Sequence, residues 1–269
     1  MQHSYLRESG YSHGLKSWLA RLVLHKIRIW DIRTAHSADE MIANSAFVAR
    51  RVRKIYGRTS HVIYPPVTQS PRTTPVPRGD HFLAASRLVP YKNMDAIVRA
   101  FGLMPDLKLI VAGDGPQASR LRELAGPNVS LVGFMSDEEL RLRMATARAF
   151  IFAAEEDFGI IPVEAMSEGT PVLALARGGA RETVTASLVR RTGMFFLHPT
   201  PEDIAACVRA FIEEEDTFLP DNCRAQASRF SPERFRAEFT AFIDETMQNS
   251  GWKAEVVTSR KSALQAKTR

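Results

Sequence analysis

Residues 149–175 read AFIFAAEEDFGIIPVEAMSEGTPVLAL. A short apolar run, AFIFA (149–153), gives way to an acidic turn at Glu155, Glu156 and Asp157, then to a helix-like segment carrying Glu164, and returns to a second apolar run, PVLAL (171–175). A strand, a turn, a helix and a strand in so short a span make a parallel crossover unit. The same alternation extends outward in both directions. Further strand-like runs stand at 82–86 (FLAAS), 107–112 (LKLIVA), 129–132 (VSLV) and 194–197 (MFFL). Helical spacing appears at 93–104, with Met94, Ile97, Val98, Phe101 and Leu103, and at 137–147, with Leu140, Leu142 and Met144. The pattern predicts an α/β fold: a Rossmann-like, doubly wound parallel sheet covered by helices on both faces.

The flanks read differently. Residues 201–248 are helical only, as Pro201–Ile212 and Ser231–Met247 with Phe235, Phe239 and Phe242, and 251–269 lose periodicity in a basic tail expected to fray. Residues 65–80, PPVTQSPRTTPVPRGD, hold five prolines in sixteen positions and predict an extended linker and a domain boundary. Ahead of it, residues 13–30 place Leu15, Trp18, Leu19, Leu22, Val23, Ile27 and Trp30 near one helical face, with Lys16, Arg21, Lys26 and Arg28 flanking it. Such a helix either packs on a core or rests on an anionic membrane surface; an incomplete core would leave Trp18 and Trp30 exposed. A short run, EMIANS, and a basic helix, FVARRVRKIY, follow, so this part holds one or two helices and a strand at most.

Composition narrows the function classes. The chain has 269 residues, 45% of them hydrophobic, which excludes a mainly disordered protein. No apolar run approaches the ~18 residues of a membrane span, and the first residues do not read as a secretory signal. Two cysteines, Cys207 and Cys223, provide neither a disulfide framework nor a multi-cysteine zinc site and fit a reducing cytoplasm. The net charge of +6 is unevenly spread: residues 1–64 carry 11 Lys/Arg against 4 Asp/Glu, 65–250 carry 20 against 25, and 251–269 carry 5 against 1. The main body is therefore acidic, and nucleic acid is not the expected partner.

Four clusters fall just after strands, on the edge where doubly wound sheets bind ligands. Arg87 and Lys92, in SRLVPYKN (86–93), bring two cations to a helix start that already favours an anion such as a diphosphate. Taken alone, two solvated surface cations are the commoner outcome. Gly113-Asp114-Gly115-Pro116 permits a sharp turn and close backbone approach, with Pro116 placed to open a helix, and serves equally as a plain turn. It has neither the GxGxxG nor the GK[ST] pattern of the common nucleotide motifs. Glu156 and Glu164 are separated by seven residues, so a turn carboxylate and a helix carboxylate can face one crevice and accept pairs of sugar hydroxyls. A metal held by Glu155, Glu156 and Asp157 is disfavoured, because no histidine is near and three consecutive acids cannot all face one ion. Arg177-Gly178-Gly179-Ala180-Arg181-Glu182-Thr183 again permits close backbone approach at a helix start.

In this order, SRLVPYKN, GDGP, EEDFGIIPVEA, GTPV and RGGARETV resemble the C-terminal donor-binding domain of glycosyltransferase family 4, over about residues 38–245. That resemblance implies the C-terminal half of a GT-B fold and a retaining, nucleotide-sugar-dependent transferase, closest in phrasing to bacterial enzymes that use GDP-mannose. It implies that Arg87 and Lys92 hold the donor diphosphate in place of a metal, with no further cofactor. Glu156 would face the donor hexose and Glu164 the ribose. Backbone at Phe158, Gly159 and Ile160 would meet sugar hydroxyls, Gly113 would line the donor site, and Val132, Gly133, Phe134 and Met135 would hold the base. The implied acceptor is a glycan or lipid-linked glycan. The implied plan is residues 1–64 as the remnant of an acceptor-side domain, 65–80 as linker, 81–230 as donor domain, 231–250 as a C-terminal helix and 251–269 as a tail. Much of the N-terminal domain is then expected to be missing, and His3, His13, His25 and His36 match none of its motifs. An alternative is a non-catalytic nucleotide-sugar-binding remnant whose acceptor half comes from a partner chain. Ser167 and Glu168 depart from the small residue and cysteine usual before GTPV and place an extra charge at that helix end.

Overall fold

The computed structural model of the chain describes residues 15–70, 72 and 76–249. The expectations for His3, His13 and the tail at 251–269 lie outside the described residues, as do positions 71 and 73–75 of the linker and the side chains of Leu15 and Lys16. Helix α1 (Leu15–Ala35) leads through β1 (Ile42–Ala43) to α2 (Ala46–Tyr56) and β2 (His61–Val62). Then β3 (His81–Ala85), a 3-10 turn (Pro90–Lys92), α3 (Met94–Gly102), β4 (Lys108–Ala112), α4 (Ala118–Leu124) and β5 (Val129–Gly133) form one half of the main domain. The other half is α5 (Asp137–Thr146), β6 (Phe150–Phe152), α6 (Ile160–Ser167), β7 (Val172–Leu175), α7 (Ala180–Thr183) and β8 (Gly193–Phe196). Helices α8 (Pro201–Glu213), α9 (Pro220–Ser228) and α10 (Pro232–Asn249) follow.

Strands β3 to β8 make one sheet in the order β5-β4-β3-β6-β7-β8, every neighbouring pair parallel. This is a doubly wound arrangement whose direction reverses between β3 and β6, and in such sheets the crevice that takes a ligand lies beyond the carboxyl ends of the two strands at the reversal. The period of two along each strand separates the core into two layers. Phe82, Ala84, Leu109, Val111, Ile151, Leu173 and Leu175 join one layer with Ile97 and Phe101 of α3 and Val208 and Phe211 of α8. Leu83, Ala85, Phe150, Phe152, Val172 and Ala174 join the other with Val163 and Met166 of α6 and Ala227 of α9. Cys207 and Cys223 are buried in opposite layers, so the sheet itself separates them; burial pushes both thiols up to about 12.

Several expectations need correction. The N-terminal part holds two short strands rather than one, with Ile42 paired to His61 and Ala43 to Val62. Helix α1 runs five residues past Trp30, its end held by Arg58, which donates to the carbonyls of Ala35 at 2.6 Å and Asp39 at 2.7 Å. Lys26 stands four residues from both Leu22 and Trp30, hence among them and not beside them, and Ile29 and Ile32 widen the apolar arc. Trp18, Leu19, Val23, Ile27 and Trp30 are all exposed. No described helix is long and apolar enough to cross a membrane. Leu103 and Leu142, which belong to the expected helical spacings, are also exposed, Leu103 because α3 has already ended at Gly102. The linker is extended but is strapped to the domain: Val67 is buried and donates to Phe230, and Arg78 donates to the carbonyls of Arg148, Gly169 and Phe218.

Glu168, the departure before GTPV, is fully buried and compensated. Its carboxylate takes hydrogen bonds from Ser70 at 2.7 Å, Arg141 at 3.2 Å and Arg72 at 3.4 Å. A buried carboxylate without such partners would be strongly destabilising, so the charge at this helix end doubles as the anchor that fastens the linker.

Candidate functional site

The two strands at the sheet's reversal deliver the central pair. Lys92, in the 3-10 turn after β3, donates to the carboxylate of Glu156, in the loop after β6. Both side chains are mostly buried. Burial also pulls the Lys92 ammonium below its usual pKa. Asn93 follows in the left-handed conformation, φ 53°, and its side-chain amide donates to the Ala153 carbonyl at 2.9 Å. Asparagine tolerates that conformation better than other non-glycine residues. It thereby locks the β3 loop to the end of β6 and fixes where Lys92 stands. Arg87 is exposed on the same loop, and its guanidinium has no partner among the described residues.

The glycines explain how the loops fit together. A Cβ on Gly113 would stand 1.9 Å from the Ser86 carbonyl oxygen, and one on Gly115 2.6 Å from that of Leu88. Hydrogen bonds from Leu88 N–H to Asp114 O, 2.8 Å, and Gln117 N–H to Leu88 O, 3.1 Å, close the contact. On the other side, a Cβ on Gly178 or Gly179 would fall 2.3 Å from Glu156 O or Phe158 Cα. The close approach read from GDGP and RGGA is thus made first to protein backbone: one glycine turn seats the Lys92 loop, the other the Glu156 loop. Pro116 does not open the helix after GDGP; α4 begins at Ala118.

The other expected residues lie on the same edge. Gly133 accepts from Gly113 N–H at 2.7 Å and has open space where a Cβ would be, beside Phe134, which is 84% exposed, and the partly buried Met135. The Phe158 side chain is core, packed on Tyr64 and Phe230 with ring centroids at 5.8 and 5.3 Å, so only its backbone is left for a ligand. Gly159, φ 84°, precedes Ile160 without a side-chain cap, which leaves the first N–H groups of α6 open. Glu164, on α6, is half-buried and its carboxylate has no hydrogen-bond partner among the described residues. Burial pushes it above the usual carboxylate range, Asp137 adding to the shift and Arg141 opposing it.

An unpartnered, desolvated carboxylate is a stability cost with a definite sign. Because the folded pKa lies above the unfolded one, the contribution of Glu164 is fully favourable below the ordinary carboxylate pKa and is lost as pH rises through the raised one. Glu164→Gln is therefore expected to raise the melting temperature at neutral pH by ~2–4 °C, for about 1 kcal/mol in a domain of this size. The gain should vanish on acidification, as followed by thermal denaturation across pH.

Two of the three consecutive acids diverge: Glu156 meets Lys92 and Asp157 meets Arg51 of α2, on separate elements. Arg51, Asn93 and Glu182 are contributors that sequence reasoning did not single out. Glu182 caps the N-terminus of α2, accepting from Ala46 and Phe47 N–H at 2.7 Å each. Asn93 and Glu182 stand in the motifs SRLVPYKN and RGGARETV, and Arg51 in the basic helix FVARRVRKIY, but none of these stretches points to the pairing the residue makes.

Residues 70–230 match the family described as glycosyl transferases group 1. A GDP-mannose-dependent monoacylated alpha-(1-6)-phosphatidylinositol monomannoside mannosyltransferase of Corynebacterium glutamicum is 35% identical over 128 residues, covering 42% of this chain and 32% of that protein. The human alpha-1,3/1,6-mannosyltransferase ALG2 is 26% identical over 271 residues, covering 86% of this chain and 64% of its own. Among solved structures, sucrose-phosphate synthase from Thermosynechococcus elongatus superposes with a TM-score of 0.72 at 20% identity, covering 84% of this chain and 62% of that one. Anabaena HepE in complex with UDP gives 0.66 at 25% identity, covering 77% and 64%. The chain thus spans about a third to two-thirds of the length of these proteins. With well over half of its own length matched, the chain belongs to the group 1 glycosyltransferases.

Proposed function

We propose that the chain binds a nucleoside-diphosphate sugar, GDP-mannose, across the β3–β6 crevice and transfers its hexosyl group, with retention, to a glycan or lipid-linked glycan. The observation that supports this most is the Lys92–Glu156 pair, two mostly buried charges from the loops on either side of the sheet's reversal. In the free molecule each satisfies the other. On donor binding Lys92 turns to the diphosphate, joined by Arg87, and the released Glu156 carboxylate takes hexose hydroxyls, while Glu164 accepts the ribose pair. The open N–H groups at the start of α6 meet the hexose from the same side. The bond from the anomeric carbon to the diphosphate breaks as the bond to the acceptor oxygen forms on the same face, and the leaving diphosphate takes the acceptor proton. The carboxylates orient the donor and form no bond to carbon. Lys92 and Arg87, brought to the leaving diphosphate, supply the electrostatic stabilisation in place of a metal.

The exposed Trp18 and Trp30, with the basic residues of α1, favour contact with an anionic membrane surface where lipid-linked acceptors reside. A cytoplasmic site of action at the inner face of the membrane goes with this reading. The test is a calorimetric and thermal-shift comparison of GDP-mannose, UDP-glucose and UDP-N-acetylglucosamine in the presence of EDTA. GDP-mannose should stabilise the chain most, by ~2.7 kcal/mol at a hundredfold excess over Kd, and EDTA should not alter its affinity. No stabilisation by any of the three sinks the reading; loss of binding on chelation sinks its metal-free form.

A further inference from the structure

The loop that carries Glu156 is held from outside the donor domain as well as from within it. Glu182 accepts the N–H groups of Ala46 and Phe47, Ser45 Oγ accepts that of Val48 at 3.1 Å, and Tyr64 OH donates to Glu182 at 3.1 Å. The first three free donors of α2 are therefore satisfied, and the helix is docked end-on against α7. One turn along α2, Arg51 Nη1 and Nη2 reach Asp157 Oδ1 and Oδ2 at 2.9 and 3.3 Å, a fork-to-fork pair. From the turn before α7, Gly179 N–H donates to Glu156 O at 2.8 Å, and Gly178 and Gly179 lie close against the backbone of Glu156 and Phe158. Residues 156–158 are thus held by both the α7 turn and α2, and the contact with α2 crosses 106 residues of sequence.

We propose that Arg51 and Asp157 are positioning residues for the donor sugar: they clamp the loop so that Glu156, one residue away, keeps its carboxylate toward Lys92 and the crevice. Neither residue touches the donor; α2 acts through the loop. The clamp rests on the nucleotide-sugar reading of the crevice. It makes a distinction that a merely structural ion pair does not. Lys92 and Glu164 hold the diphosphate and ribose without help from Asp157, whereas the hexose depends on Glu156 and therefore on the clamp.

The experiment titrates GDP-mannose and GDP into the whole chain by calorimetry for the wild type, Arg51→Ala, Asp157→Ala, the swap Arg51→Asp with Asp157→Arg, and Lys92→Ala as a site control. The expected result is about five-fold weaker GDP-mannose binding in each single clamp variant, the equivalent of a ~1 kcal/mol ion pair, and GDP binding within about two-fold of wild type. The swap should recover GDP-mannose affinity to within about two-fold. If wild-type binding is present and lost in Lys92→Ala, yet GDP-mannose affinity is unchanged in both clamp variants, the clamp is overturned alone. Equal weakening of GDP and GDP-mannose overturns it too, since that marks general destabilisation. A wild-type chain that binds neither ligand overturns the clamp together with the site.

Discussion

Gly113→Ala lowers the melting temperature of the chain by ~10 °C, a loss of about 3–5 kcal/mol. Two costs coincide at this position. Gly113 has φ +124°, which side-chain-bearing residues rarely adopt, and its missing Cβ points at the Ser86 carbonyl oxygen 1.9 Å away. That oxygen belongs to the backbone of the loop leading to Arg87 and Lys92, so relief requires the loop to move. The variant should therefore also lose nucleotide binding. Gly102→Ala is the matched control: Gly102 ends α3 with nothing within 4 Å of the new Cβ, and the change should be neutral or stabilise by ~0.5–1 kcal/mol. Thermal denaturation of the two variants side by side checks both expectations.

Lys92→Ala weakens diphosphate binding by about 10–100-fold, the range for losing one charge-assisted hydrogen bond worth ~1.5–3 kcal/mol. The change also strands Glu156, a second anion left facing the ligand's own charge. The pH dependence carries an additional signature. Burial pulls the Lys92 pKa below that of an exposed lysine. The proton is therefore lost earlier as pH rises, and wild-type affinity should fall through that lowered value while Lys92→Ala shows no such fall. Affinity measured from neutral to alkaline pH separates the two proteins.

The main domain was readable because strands buried on both faces are short continuous apolar runs, as at Phe82–Ala85 and Phe150–Phe152, and because turn glycines punctuate them. The loops after β3 and β6 could be placed on one edge from that pattern. What lay between them could not. The partner of Asp157 is 106 residues away and that of Glu182 more than 130, and no local period encodes such pairings. Gly113 and Gly178 signalled close approach, but not that Ser86 and Glu156 were what they approach. Glu168 reads as an excess charge at a helix end; its compensation depends on Arg72 and Arg141, which converge only once the linker lies across the domain. Helices α4 and α9 lie where a helix after GDGP and an all-helical 201–248 are expected, but their bounds are not legible, because each is short and carries few buried residues to set a period: Leu121 in one, Cys223 and Ala227 in the other. In α1 a window of apolar residues read as one face, yet Lys26 shares that face with Leu22 and Trp30.

On the proposed reading, a nucleoside diphosphate sits at the sheet's reversal, held by a cation from the β3 loop and a carboxylate from α6. Its most direct test is a calorimetric titration of GDP into the wild type, Lys92→Ala and Glu164→Gln under one set of conditions. Saturable binding to the wild type is expected, with about ten-fold or greater weakening in each variant and with Glu164→Gln the more thermostable protein at neutral pH. Equal GDP affinity in all three folded proteins would contradict it.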